Sequence, residues 1–99
     1  MVKHIVLFKL RQDISEETRR TVMETFKREI EALPHSIPCI RHIFVGFNIN
    51  TAETWDICLE STFDSIDDVH TYAIHPDHKA AAQHFVPYVE GRACTDFEI

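Results

Sequence analysis

The sequence predicts an α+β chain: a ferredoxin-like βαββαβ sandwich that forms a dimeric α+β barrel with a second copy of itself. Three observations lead there. Segments of strand and helix periodicity follow one another in the order β-α-β-β-α-β. The first strand carries apolar side chains on both faces, so a sheet face left bare by the helices still needs cover. The length of 99 residues suits one domain, and residues 1–99 are read as a single one.

Residues 2–10 form the first strand, with His4, Val6, Phe8 and Leu10 on one face and Lys3, Ile5, Leu7 and Lys9 on the other. Ser15 is a good N-cap, and Glu16 and Glu17 suit the first turn of the helix that follows. Val22, Met23, Phe26, Ile30 and Leu33 recur at helical spacing on one stripe, until Pro34 and Pro38 end the helix. A second strand covers 39–48 and a third 55–63, joined as a hairpin through the polar turn from Asn48 to Thr54. Trp55, Ile57 and Leu59 alternate with Asp56, Cys58 and Glu60, which assigns the first set to the core and both carboxylates to one solvated face. Ser65 opens a second helix in a capping-box-like Ser-Ile-Asp-Asp, with Ile66, Val69, Tyr72 and Ala73 facing inward. Pro76 interrupts this helix and starts another, whose Ala80, Ala81, Phe85 and Val86 face inward. A last strand runs from about Ala93 to Ile99.

The helices of such a sandwich cover one sheet face, and Ile5 and Leu7 fall on the other. A second copy of the same sheet is the simplest cover, which makes the chain its own partner.

Composition narrows the function classes. Hydrophobic residues make up 44% of the chain and there are only two glycines, which describes a packed domain and not a linker. A formal charge of −6 argues against nucleic acid and against a polybasic membrane contact. No segment has the length of a membrane span, and the apolar run before Lys9 is too short for a signal peptide. Cys39, Cys58 and Cys94 are widely spaced with no C-x-x-C pair, which suits reduced thiols in the cytoplasm; Cys58 and Cys94 read as buried small hydrophobes.

The chemistry concentrates in Tyr72-Ala73-Ile74-His75-Pro76-Asp77-His78. A phenol and two imidazoles lie there around a helix-breaking proline, and such side chains move protons near neutral pH or hold a polar ligand. Seven histidines invite a metal reading, but Pro76 disturbs the register that would bring His75 and His78 together, and His84 is six residues further on. No metal is expected. With no Gly-rich phosphate loop and no acyl-transfer triad, no cofactor is expected either.

Val2-Lys3-His4-Ile5-Val6-Leu7-Phe8-Lys9, Ser61-Thr62-Phe63-Asp64-Ser65, the Tyr-x-x-His-Pro-x-His block and the closing Asp96-Phe97-Glu98 stand in an order and spacing that resembles the stress-responsive A/B-barrel (Dabb) domain family. The resemblance covers essentially the whole chain, and the Tyr-x-x-His-Pro-x-His block is its specific part. It implies a dimeric α+β barrel with a small apolar cavity between helices and sheet; some members are implicated in plant stress responses and many have no established biochemical role. It also implies candidate site residues, because a plant polyketide cyclase of the family uses a histidine and a tyrosine at positions matching His78 and Tyr72, with a further histidine matching His4. The expected function is therefore the binding of a small apolar or carbonyl ligand. The alternative is a cofactor-independent cyclase or isomerase with His78 as base, Tyr72 as acid and His4 holding the carbonyl. The run Lys79-Ala80-Ala81-Ala82-Gln83-His84 departs from the glycine- and aromatic-rich tunnel of that cyclase, so the ligand need not be the same.

Overall fold

A computed structural model describes residues 1–99. The elements are β1 (Val2–Leu10), α1 (Glu16–Glu31), β2 (His42–Phe47), β3 (Ile57–Phe63), α2 (Ile66–Ile74), α3 (Pro76–Phe85) and β4 (Val89–Glu98), with short 3-10 turns at Leu33–His35 and Val86–Tyr88. The strands form one sheet in the order β2-β3-β1-β4, every neighbouring pair antiparallel. This is the ferredoxin-like sandwich, with its helices on one face.

Local chemistry sets the helix ends. Ser15 Oγ accepts the Thr18 amide at 3.1 Å and Glu16 and Glu17 lie in the first turn of α1, so one orphan donor is satisfied and the helix dipole is answered. Pro34 then falls in the first turn of the 3-10 segment that ends the run. Ser65 caps α2 by accepting the Asp68 amide at 3.2 Å. Pro76 can occupy the first turn of α3, where its missing N–H costs nothing, and the His75 ring supplies the cap, Nδ1 accepting the Asp77 amide at 3.1 Å.

The core lies between the helices and one face of the sheet. Val6 and Leu10 of β1, Val45 of β2, and Ile57, Leu59 and Phe63 of β3 meet Phe26 and Ile30 of α1, Val69 and Tyr72 of α2, and Ala81 and Phe85 of α3. Phe26 and Phe85 stack with centroids 3.9 Å apart, and Phe8 meets both edge-on, tying α1 to α3 over β1.

Several boundaries and facings differ from the sequence expectation. β4 begins at Val89, before Ala93, because β1 is long enough to pair with Val89–Arg92 across an irregularity at Lys9/Leu10. β2 and β3 are shorter than expected, starting at His42 and Ile57. Asp56 therefore precedes the strand and leaves its alternation: its carboxylate accepts the Leu10 amide at 2.7 Å and meets Arg19 of α1 at 3.0 Å, whereas Glu60 lies opposite Ile5 and pairs with Lys3 at 2.8 Å. The two carboxylates do not share a face. Trp55 likewise leaves the core and packs over Gly91, where a Cβ would stand 3.7 Å from the indole. Ile66, Ala80 and Val86 are exposed, since the inward phase is set by Val69 with Tyr72 and by Ala81 with Phe85. Cys58 is half-buried opposite Leu7 and Cys94 is exposed, so neither is the buried hydrophobe expected.

Candidate functional site

Between the sheet and the α2–α3 pair lies a cavity of about 300 Å³, at the small end of the range for small-molecule sites. Its wall is mostly apolar, built on Val6, Phe8, Phe26, Ile30, Leu59 and Phe85. His4, Tyr72 and His78, which the sequence singles out, all line it, and Arg92 joins them. His75 does not line it; its ring is spent on the α3 cap.

The proline break is what brings Tyr72 and His78 together. A continuous helix would turn residues six apart about 120° away from each other and almost two turns along the axis, whereas the extended His75 (φ −64°, ψ 136°) restarts the chain as α3 and returns His78 beside Tyr72, ring centroids 4.4 Å apart. His4 reaches the same place from near the start of β1, its ring centroid 6.0 Å from that of Tyr72.

Each polar group has a definite state. His78 Nδ1 lies 3.1 Å from the Ala73 carbonyl oxygen. A carbonyl only accepts, so Nδ1 carries the hydrogen and Nε2 holds the lone pair. Burial pushes the His78 pKa below the ordinary imidazole value, opposed by the Ala73 bond and assisted by the positive influence of His4, Arg92 and His75. His78 is thus a neutral base at neutral pH. The Tyr72 hydroxyl is buried with no hydrogen-bond partner in the protein, and burial pushes its pKa far above that of an ordinary phenol. It remains a donor looking for an acceptor. His4 Nδ1 meets Asp96 Oδ1 at 2.5 Å, directly across the β1–β4 ladder, which fixes the proton on Nδ1 and leaves Nε2 as the free lone pair.

Cys94 completes the group at this edge. Its Sγ lies 3.7 Å from His4 Nδ1 and 3.9 Å from Asp96 Oδ2. The donor atoms of His4, Cys94 and Asp96 fall within 4.8 Å of one another, which is the one set here that could hold a metal ion, although the His4–Asp96 hydrogen bond already engages two of its members. Although the residue as a whole is exposed, partial desolvation of its sulfur and the Asp96 charge push the Cys94 thiol up, away from a reactive thiolate. His84 lies outside the cavity wall, and its Nδ1 faces Glu29 at 3.4 Å. Asp96 and Arg92 were missed as site residues. The available signal was the alternation of β4: once its pairing with β1 is known, Arg92, Cys94 and Asp96 fall on the face of Phe8, Val6 and His4.

Residues 2–99 match the model of the stress responsive A/B barrel domain, Dabb. The chain is 28% identical over 80 residues to olivetolic acid cyclase from Cannabis sativa, covering 78% of this chain and 75% of that protein. Among solved structures, a dimeric ferredoxin-like protein of unknown function from Bacteroides fragilis superposes with a TM-score of 0.96 at 54% identity, covering 99% of this chain and 95% of that one. A dimeric ferredoxin-like protein of unknown function from Thermobifida fusca gives a TM-score of 0.79 at 24% identity over 99% and 90% of the two chains.

Proposed function

The chain belongs to the stress responsive A/B barrel (Dabb) family, and from that premise we propose that it binds a small, largely apolar ligand bearing an acceptor oxygen in the cavity between helices and sheet. One observation carries the reading: the Tyr72 hydroxyl is buried in an apolar wall without a protein partner. An unpaired buried hydroxyl costs about 1–3 kcal/mol, which a ligand carbonyl would recover. Calorimetric titration with 2-octanone, a neutral apolar ketone that fits the cavity, tests this. Saturable binding at one molecule per chain is expected; no binding up to the solubility of the ketone would remove the reading.

A second reading is favoured by His78. A neutral imidazole with its Nε2 lone pair free, beside a phenol O–H, has the parts for cofactor-free proton transfer alpha to a carbonyl, the base removing the proton while the phenol holds the enolate oxygen. His4, whose Nδ1 hydrogen is committed to Asp96, presents only an Nε2 lone pair, so it would accept a hydroxyl of the ligand from the sheet side and not hold the carbonyl. This is the chemistry of a cyclase or isomerase and fits the likeness to olivetolic acid cyclase. Deuterium exchange at the alpha carbons of 2-octanone, followed by NMR in D2O, reports it directly. Faster exchange than in buffer, lost in His78→Gln, is the expected sign of catalysis, and exchange at the buffer rate would leave a binding protein only.

The assembly proposed is a homodimer through the open sheet face. Ile5 and Leu7 lie there between strands, and Phe97 on the same face is 46% exposed. The two solved relatives above are described as dimeric. No helix is long and apolar enough to cross a membrane. The free thiols Cys39, Cys58 and Cys94 suit a reducing, cytoplasmic setting.

A further inference from the structure

We propose that Arg92 anchors a carboxylate, so that the occupant of the cavity is a small monocarboxylic acid with an apolar body. The inference rests on the cavity being a ligand site and names the class of that ligand.

Arg92 is the one permanently charged residue on a wall that is otherwise apolar apart from Tyr72 and two imidazoles. It stands on β4 opposite Phe8, on the face that carries His4 and Asp96, and it is an exposed residue, which puts its guanidinium at the rim of the cavity. The chain has 16 acidic and 10 basic Lys and Arg residues, so carboxylates are in excess. The ion pairs engage Lys3, Arg11, Arg19, Lys27 and Arg41; Lys9, Arg20, Arg28, Lys79 and Arg92 have none, and of these Arg92 alone lines the cavity. Asp96, which shares its strand face, is taken by His4. A planar fork of donors is thus left without its usual partner beside a buried hydroxyl in the same condition.

The two unpaired groups divide a ligand between them. A carboxylate at the rim can take two parallel N–H bonds from the guanidinium, and the Tyr72 hydroxyl can donate to one of its oxygens or to a neighbouring carbonyl. The apolar body then lies inward against Phe8, Phe26 and Phe85. A neutral ligand would use Tyr72 and leave Arg92 idle. A polyanion would meet the net charge of −6 with only one fixed cation to hold it.

The test compares octanoate with 2-octanone by calorimetry on the intact protein and on Arg92→Gln. In the unaltered protein octanoate is expected to bind at least about ten-fold more tightly than the ketone, the discrimination that one charge-assisted contact supports. In Arg92→Gln that advantage should vanish while 2-octanone binds as before, which also shows that the variant is folded. Equal affinity for the two probes, or an advantage that survives in Arg92→Gln, would overturn the carboxylate assignment while leaving the cavity as a ligand site. If neither probe binds, the ligand-site reading falls and takes this inference with it.

Discussion

His4 and Asp96 face each other across the β1–β4 ladder with Nδ1 and Oδ1 2.5 Å apart, although 92 positions separate them in the chain. The pair does two things at once. It ties the edge strand to the centre of the sheet, and it settles which nitrogen of His4 is turned to the cavity with a lone pair.

Asp96→Asn should therefore cost stability and loosen the site together. The His4 side chain is 10% exposed and that of Asp96 28%, so the bond is partly shielded, and its loss is expected to lower stability by about 1–2 kcal/mol. Urea denaturation followed by circular dichroism measures this. A midpoint equal to that of the unaltered protein would show that the pair holds nothing.

Tyr72→Phe should separate stability from binding. Removing a buried hydroxyl that has no partner leaves the ring packing of Tyr72 against Phe63 and His78 in place, and the free protein should be as stable or up to about 1 kcal/mol more stable. Affinity for 2-octanone should fall by about ten-fold, the worth of one hydrogen bond. A marked loss of thermal stability in the free variant would instead mean that the hydroxyl is structurally engaged.

The depressed pKa of His78 gives a pH signature. Above its ordinary value of 6.5 the imidazole is neutral in both folded and unfolded chains and contributes no pH dependence. As the pH falls below 6.5 the unfolded chain takes up a proton that the folded chain, whose His78 pKa is lower, resists, so stability declines with acidification in that window. His78→Gln should remove this part of the slope. Urea midpoints at pH 7 and pH 5 for both proteins, compared as a difference of differences, check it; identical slopes would mean that burial does not perturb His78.

Leu7→Lys places a charge at the centre of the open sheet face, where Leu7 lies opposite Cys58 and Ala93. The expected result is a monomer by light scattering at micromolar concentration, with the helix-side core untouched. A dimer that persists in Leu7→Lys would put the interface elsewhere on the molecule.

The fold was legible because its signals are local. Ser15 and Ser65 cap helices through their own side chains, and the two-faced β1 announces a central strand needing cover on both sides. His4, Tyr72 and His78 could be picked out through the Tyr-x-x-His-Pro-x-His block and the likeness of the opening strand to the same family. The cavity polar groups on β4 could not, because the start of that strand, and with it the face of Arg92, is set by pairing with β1 and not by its own residues. Asp56 misled for a related reason: it sits one residue before β3, where the two-residue period no longer governs which way a side chain points. Cys94 resisted prediction because an edge strand lets a small apolar residue stay exposed without penalty.

The placement of β1 between β3 and β4 has a kinetic consequence. The strand that is made first cannot be completed on its β4 side until Val89–Glu98 arrives, and this is the pairing of greatest sequence separation in the sheet. During synthesis, β1 can dock on the β2–β3 hairpin and be covered by α1 while its other edge is still open. Asp96 and Arg92 enter only with that last strand. The nascent protein can thus acquire most of its core well before the cavity wall is complete, and a lesion in β4 would leave a chain that is largely folded yet lacks the Arg92 edge of that wall and the Asp96 partner of His4.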